Sequence, residues 1–96
     1  MLKNVEKMSI NYSPNFDTKK RSASRVKYLI FHYTGMRSEK SAIFKLSDKK
    51  SKVSCHYFLK RNGTIYRMVD DNKVAWHAGK SKWKNIKNLN QYSIGI

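Results

Sequence analysis

Three histidines and one cysteine are the side chains of this sequence best suited to bind a metal ion or to transfer a proton. They are His32, His56, His77 and Cys55. Together they could supply the nitrogen and sulfur ligands of a zinc site, but their spacing matches no short ligand motif such as HExxH or CxxC. A histidine can equally be a hydrogen-bonded core residue, so from the residues alone both interpretations stay open.

Carboxylates, which metal hydrolases commonly use as a general base, are scarce in this chain. The acidic residues are Glu6, Asp17, Glu39, Asp48, Asp70 and Asp71. None of them stands beside His32 at the end of a predicted strand, and the pair Asp70-Asp71 is typical of a turn. The chain therefore offers candidate metal ligands without a convincing general base.

The strand that would position His32 is the clearest element of the pattern. Val26 to Tyr33 is nearly continuous in apolar and aromatic residues, which is typical of a central strand covered on both faces. Thr34-Gly35 ends it. Because ligands bind at the carboxyl ends of strands in open α/β sheets, we predict that the His32 ring faces a cleft.

The segments after this strand predict a short helix and a hairpin. Ser38 to Asp48 has a capping serine and helical spacing of its apolar residues, so it predicts an amphipathic helix. Val53 to Lys60 and Thr64 to Val69 predict two strands. Asn62-Gly63 between them favours a two-residue hairpin turn, because both residues accept positive φ.

The last third of the chain alternates extended pieces with a polar loop. Val74 to His77 predicts a short extended piece closed by Gly79, and Lys80 to Gln91 predicts a loop anchored by Trp83 and Leu89. Tyr92 to Ile96 predicts a strand. We expect Ile94 and Ile96 in this strand to be incompletely covered and the chain to be only marginally stable.

The charge of the chain is strongly positive, with 21 Lys and Arg against six Asp and Glu and a net charge of +15. Such a balance favours an anionic partner, although the lysines are scattered and could simply fill solvated positions. A small basic nucleic-acid-binding module is therefore the alternative function, with Trp76, Trp83, Tyr28 and Tyr33 as possible stacking groups. Against it, no RNP, KH or OB pattern is present, so nucleic acid is not the expected partner.

Length and composition indicate one domain at most, preceded by an N-terminal arm. Residues 1–25 form the predicted arm, with a turn at Ser13-Pro14-Asn15 and a polar, exposed segment from Lys19 to Arg25. A single cysteine excludes an internal disulfide. Neither a secretory signal nor a segment long enough to span a bilayer is seen, which predicts a cytoplasmic protein, with the cell envelope as the alternative.

Short motifs occur in a fixed order from about residue 12 to residue 96. They are Ser13-Pro14-Asn15, Phe31-His32-Tyr33-Thr34-Gly35-Met36, Val53-Ser54-Cys55-His56-Tyr57-Phe58-Leu59, Arg61-Asn62-Gly63-Thr64-Ile65, Ala75-Trp76-His77-Ala78-Gly79, Leu89-Asn90 and Ser93-Ile94-Gly95-Ile96. In this order and spacing the chain resembles the type-2 N-acetylmuramoyl-L-alanine amidases, zinc-dependent hydrolases of the bacterial cell wall. Peptidoglycan recognition proteins are more distant relatives of the same group.

The resemblance implies an α/β fold and a hydrolytic function. The expected fold is a mixed central β-sheet flanked by helices, of which residues 26–96 form a C-terminally incomplete catalytic domain. The implied reaction is hydrolysis of the amide between N-acetylmuramic acid and L-alanine in peptidoglycan or muropeptides. Family members hold zinc with two histidines and one Asp or Cys, and water takes the fourth position.

Carried over residue by residue, the resemblance assigns only part of the site. His32 matches the first zinc ligand, while Trp76 and His77 match a groove position near substrate. His56 matches a position that is not a ligand, and Cys55 stands where a distant branch has a functional tyrosine.

The remaining functional residues of the family have no counterpart in these 96 residues. The resemblance places the catalytic Glu directly after Ile96, with the second zinc His, the Asp or Cys ligand and a Lys later still. We therefore expect the chain alone to be an inactive fragment carrying one of three zinc ligands. A degenerate peptidoglycan-binding remnant without catalysis is a further alternative.

Overall fold

The computed structural model describes residues 6–7, 13–78, 82–83 and 86–96. Within these residues the strands are β1 (Glu6–Lys7), β2 (Tyr28–Ile30), β3 (Tyr57–Leu59), β4 (Ile65–Arg67), β5 (Lys82–Trp83), β6 (Ile86–Lys87) and β7 (Ser93–Gly95). The helix α1 spans Glu39–Ser47, and single 3-10 turns lie at Ala23–Arg25, Lys49–Ser51 and Leu89–Tyr92.

The strands form a mixed arrangement in which parallel and antiparallel pairs adjoin. β4 pairs in parallel with β1 and antiparallel with β3, while β2 and β7 pair in parallel. His56, just before β3, links the two groups: its N–H donates to the Gly95 carbonyl at 2.9 Å, and its carbonyl accepts from Met68 N at 2.8 Å. The predicted mixed sheet is thereby confirmed.

The helix α1 forms where its sequence pattern predicts. Ser38 is the N-cap and its hydroxyl accepts from Ser41 N at 3.1 Å, so it satisfies one of the free amides of the first turn. Ala42 on the inner face joins a core cluster with Cys55, Phe58 and Met68. No helix among the residues that the structure describes is long and apolar enough to cross a membrane.

The predicted hairpin is present, but its turn has three residues rather than two. β3 and β4 pair with Leu59 opposite Ile65, and Lys60 N donates to Thr64 O at 2.8 Å. Gly63 has a φ of +90°, and its N–H donates to Lys60 O at 3.0 Å. This is the three-residue loop that ends in a glycine bulge, and Gly63 alone takes the positive φ that we expected of Asn62 as well.

β2 is shorter and less covered than the sequence predicts. The prediction of a strand covered on both faces is wrong for one face, since Leu29, Phe31 and Tyr33 are 53%, 71% and 91% exposed. These residues alternate along the chain, so they lie on one side of the strand, where nothing in the described part of the chain packs over them. An apolar run indicates that a face can be buried, but it does not supply the covering element.

β7 is better covered than expected. Ile94 has no exposed surface, so the prediction that it would be incompletely covered is wrong. The reason is that β7 lies between β2 on one side and the His56 segment on the other. Ile96 is partly exposed and lies at the edge of a cleft.

The segment predicted as a polar loop, Lys80 to Gln91, contains regular structure. β5 and β6 pair antiparallel within it, with Trp83 opposite Ile86, and Leu89 is buried as expected of an anchor. The expected closing glycine, Gly79, and the anchoring side chain of Trp83 lie outside the described residues.

The N-terminal segment packs against the rest of the fold from Ser13 onward. Backbone hydrogen bonds join Ser13 to Met68 and Arg21 to Asn72. Arg21 is buried, so the prediction that the whole of Lys19 to Arg25 would be exposed is wrong at this residue. Its guanidinium donates to the Asn90 carbonyl at 2.9 Å, which compensates for its removal from water.

Replacing Asn15 with alanine is expected to destabilise the fold. The buried Asn15 amide donates to Asp48 O at 2.9 Å and to Val53 O at 2.8 Å, so it fastens the N-terminal segment to the loop after α1. Loss of these bonds should lower the free energy of unfolding by about 2 kcal/mol in a urea titration. The matched control is Asn72→Ala, at an exposed position, and equal unfolding midpoints for the two variants would contradict the prediction.

Candidate functional site

A cleft of about 510 Å³ lies between the end of β2, the helix α1 and the β3–β4 hairpin. His32, His77 and Ile96 line one end, while Phe58 and Cys55 contribute to the floor. A volume of this size suits a small organic ligand. The cleft therefore combines apolar walls with a pair of imidazoles at one end.

His32 reaches this cleft because the pairing of β2 with β7 continues past the formal end of the strand. His32 N donates to Ile96 O at 2.9 Å, and Ile96 N donates to Ile30 O at 3.0 Å. The backbone of His32 is thus fixed, while its ring is exposed at the cleft. The prediction that His32 lies at the carboxyl end of a strand beside a cleft is confirmed in its location, although the strand is an edge pair rather than a covered central strand.

His77 lies next to His32 in space, although 45 residues separate them along the chain. The His32 Nε2 and His77 Nδ1 atoms are 2.9 Å apart, and the rings meet edge to face with centroids 5.1 Å apart. The other nitrogen of His77, Nε2, is 2.9 Å from the hydroxyl of Ser93. Burial, followed by the nearby His32, lowers the pKa of His77 to about 3, so its ring is neutral at physiological pH.

Two further residues fix the position of His77. The Asn90 side-chain oxygen accepts from His77 N at 3.2 Å and from Ala78 N at 2.8 Å. The His77 ring also lies flat against Gly95, where an added Cβ would stand 2.5 Å from Cγ of His77. Only glycine at position 95 leaves room for the ring in this place.

His56 is a structural histidine, as the resemblance implied. It is fully buried, Gly95 N donates to its Nδ1 at 3.1 Å, and its Nε2 lies 2.8 Å from the carbonyl of Lys73. Since Nδ1 accepts, Nε2 carries the hydrogen and donates to Lys73 O. Burial lowers the pKa of His56 to about 4, so the ring is neutral and both nitrogens are used within the core.

Cys55 lines the cleft but is not activated. Burial raises the pKa of its thiol to about 12, so it stays protonated at neutral pH. Since the thiolate is the form that attacks substrates, Cys55 in the metal-free chain contributes apolar surface rather than a nucleophile.

Trp76, the other residue predicted to contact substrate, does not line the cleft among the described residues. Its indole N–H donates to Asp17 at 2.8 Å, and its backbone N–H donates to the Ser54 hydroxyl at 2.8 Å. The structure therefore brings His32 and His77 together and holds Trp76 against the N-terminal segment.

The described residues form no complete zinc site. They contain no group of three His, Cys, Asp or Glu side chains that could hold one metal ion. His32 is a suitable donor, but its neighbour His77 is already hydrogen-bonded through both ring nitrogens and Cys55 is a protonated thiol. Because a catalytic zinc takes three protein ligands, the donor set of this chain fits one ligand position and not the whole centre.

Sequence reasoning gave no role to Ser93 and Asn90. Both occur in motifs that carry the resemblance, yet a lone serine or asparagine has no pattern that indicates a partner 13 or 16 residues away. The sole local signal is that Asn90 lies in the turn before β7 and Ser93 is the first residue of β7.

Comparison with known proteins decides the family. Residues 22–96 match the family model described as N-acetylmuramoyl-L-alanine amidase. The chain belongs to this family. Among curated relatives, AmiD of Escherichia coli (strain K12) is 37% identical over 90 residues, which cover 83% of this chain and 32% of AmiD. AmpD of Haemophilus influenzae, a 1,6-anhydro-N-acetylmuramyl-L-alanine amidase, is 32% identical over 101 residues, covering 88% of this chain and 54% of AmpD.

Solved structures agree with the fold. A crystal structure of selenomethionine-labelled AmpD aligns over 99% of this chain and 60% of its own length, with a TM-score of 0.74 and 23% identity. The Escherichia coli AmiD complex with anhydro-N-acetylmuramic acid-L-Ala-D-γ-Glu-L-Lys aligns over 82% of this chain and 34% of its own length, with a TM-score of 0.64 and 36% identity. The present chain thus spans about a third of the length of AmiD and about half of the length of Haemophilus influenzae AmpD.

Proposed function

We propose that this chain provides the His32 end of the active site of a zinc-dependent N-acetylmuramoyl-L-alanine amidase. Its substrate would be the amide between N-acetylmuramic acid and L-alanine in peptidoglycan or its fragments. The observation that carries the proposal is the position of His32: in a chain of the amidase family, its imidazole lines a cleft of about 510 Å³.

His32 is the proposed zinc ligand of this chain. Zinc, when bound in such an enzyme, lowers the pKa of its water to about 7 and polarises the scissile carbonyl. The described residues supply one of the three zinc ligands, so in this proposal the other two are not His56, His77 or Cys55. The role of His32 here is to present an imidazole nitrogen at the cleft from a backbone whose N–H donates to the carbonyl of Ile96.

The cleft combines cationic side chains with exposed aromatic rings, a combination that suits a ligand with a charged peptide. Lys45 and Arg61 are among the residues that line the cleft, and Phe31 and Tyr33 next to His32 in the chain present exposed aromatic rings. The peptide of the ligand seen with AmiD contains a γ-linked glutamate, which carries a free carboxylate. The two cations Lys45 and Arg61 in the cleft lining would attract that carboxylate.

His77 forms part of the wall beside His32 in this proposal. Its two ring nitrogens are engaged by His32 and Ser93, so its contribution to substrate binding is contact surface rather than a hydrogen bond. Trp76 is not part of the proposed substrate contacts, because its indole N–H donates to Asp17.

Binding of a muropeptide to this cleft can be mapped directly. Titration of anhydro-N-acetylmuramic acid-L-Ala-D-γ-Glu-L-Lys into the 15N-labelled chain should shift the amide signals of residues around the cleft, such as Tyr33, Leu46 and Leu59. Arg61→Gln should weaken binding by roughly two- to five-fold, the effect of one exposed charge pair. The matched control is Lys49→Gln, outside the cleft. Shifts spread away from the cleft, or none at millimolar ligand, would contradict the proposal.

A further inference from the structure

A chain of four polar groups runs from the carbonyl of the buried Leu89 to His32. The Ser93 hydroxyl is 2.7 Å from the carbonyl of Leu89 and 2.9 Å from Nε2 of His77. Nδ1 of His77 is in turn 2.9 Å from Nε2 of His32. Ser93 has no exposed surface, so water does not compete for its hydroxyl.

The direction of every hydrogen bond in this chain follows from its first member. The Leu89 carbonyl can only accept, so the single hydroxyl hydrogen of Ser93 points to it. Ser93 must then accept from His77, which places the His77 hydrogen on Nε2 and leaves Nδ1 as an acceptor. The Nε2 of His32 therefore carries a hydrogen and donates it to His77.

We infer that His77 and Ser93 are positioning residues that hold His32 in the Nε2–H tautomer and leave its Nδ1 as the nitrogen with a free lone pair. Within the part of the chain that the structure describes, Nδ1 of His32 makes no hydrogen bond. It is the atom of His32 that can accept a proton or bind a metal ion. The value of this arrangement for catalysis rests on the proposed function, whereas the tautomer itself does not.

The surroundings of His77 make the arrangement rigid. Asn90 holds the backbone of His77 and of the following residue, and Gly95 allows the ring to lie flat against β7. A hydrogen-bond partner on the second nitrogen is the usual means by which proteins fix the tautomer and ring direction of a functional histidine. Here the partner is a second imidazole rather than a carboxylate.

The test is nuclear magnetic resonance of the metal-free, 15N-histidine-labelled chain at about pH 8, where free imidazole is neutral. We expect a scalar coupling across the hydrogen bond between His32 Nε2 and His77 Nδ1, together with a slowly exchanging Nε2–H on His32. Ser93→Ala should abolish the coupling and speed that exchange, because His77 is then free to change tautomer. The matched control, Ser24→Ala, alters an exposed serine whose hydroxyl is hydrogen-bonded to that of Ser22, and it should leave both signals unchanged.

A second measurement uses zinc alone as the probe. Zinc added to millimolar concentration should shift the Nδ1 signal of His32 while the coupling to His77 persists. A hydrogen found on Nδ1 of His32 in the metal-free chain, or a coupling that zinc abolishes, would overturn the inference, because Nε2 would then be the free or metal-binding atom. No substrate enters either measurement, so its outcome is separate from that of the amidase proposal.

Discussion

Acidification from pH 7 to about pH 4 is expected to remove on the order of 3 kcal/mol from the stability of the fold through His56 alone. Burial holds the pKa of this histidine at about 4 in the folded chain, against 6.5 for an exposed one. Between these two values the unfolded chain binds the proton and the folded chain does not. The free energy of unfolding is therefore highest above about pH 6.5 and falls as the pH falls toward 4.

His77 adds to this loss in the same direction. Its pKa is lowered to about 3, first by burial and then by His32, so its share of the loss continues below that of His56. Urea titrations at several pH values between 7 and 4 should show unfolding midpoints that decrease steadily with acidity. The variant His56→Asn cannot take up the proton, so its stability should be lower at pH 7 but less dependent on pH. Equal pH dependence in the two proteins would contradict the assignment of His56 as a buried neutral histidine.

A purified polypeptide of residues 1–96 is expected to release no measurable L-alanyl peptide from muropeptides and to bind zinc weakly. Its histidines and its cysteine cannot complete a centre around His32: His56 is bonded inside the core, His77 is bonded to Ser93, and Cys55 is a protonated thiol. Among the described residues, Glu39 is the carboxylate that lines the cleft, and it already accepts a hydrogen bond from Arg61 N at 2.6 Å. General acid–base help is worth roughly a hundred- to ten-thousand-fold in rate.

Peptide release and zinc calorimetry test this expectation together. AmpD of Haemophilus influenzae, assayed in parallel, is the positive control for the substrate. One tight, stoichiometric zinc in the 96-residue chain, or zinc-dependent release of peptide, would show that His77 or Cys55 is a ligand after all.

Local signals in the sequence predicted much of the fold. The cap at Ser38 and the helical spacing after it predicted α1, and the glycine at position 63 predicted a hairpin between β3 and β4. Both depend on interactions between residues a few positions apart, which the sequence displays directly. The turn length was wrong because Asn-Gly fits both the two-residue turn and the three-residue loop with a glycine bulge.

Burial was predicted less well, because it depends on what other segments of the chain contribute. The apolar run through Leu29 and Phe31 was expected to be covered, yet one of its faces is exposed. Ile94 was expected to be incompletely covered, yet it has no exposed surface in a strand flanked by β2 and the His56 segment. Arg21 was expected to be exposed to solvent, but it is buried and its guanidinium donates to the carbonyl of Asn90. Each of these outcomes is set by a partner far along the chain.

The candidate site was predictable as a set of residues but not as an arrangement. The strand pattern placed His32 at the carboxyl end of a strand beside a cleft, and the family motifs singled out His77. The two histidine rings that touch are 45 residues apart in the sequence, and Ser93, which is hydrogen-bonded to His77, is 16 residues from it. No spacing rule connects such residues, since the contact arises only when β2 and β7 pair.

The central claim, that His32 belongs to the zinc-binding end of an amidase site, is tested most directly in a hybrid enzyme. In it, residues 22–96 of this chain replace the matching part of Haemophilus influenzae AmpD, whose own remainder supplies the rest of the protein. The measurement is cleavage of anhydro-N-acetylmuramic acid-L-Ala-D-γ-Glu-L-Lys at the muramic acid amide, with folding of each hybrid checked by circular dichroism.

We predict zinc-dependent cleavage by the hybrid and a loss of more than about a hundred-fold on His32→Ala, because even the outer partners of metal ligands are worth 10- to 100-fold. Lys27→Ala, an exposed change on the segment that leads into β2, is the matched control and should leave the rate unchanged. A folded hybrid that binds zinc and cleaves the substrate equally well with alanine at position 32 would contradict the claim.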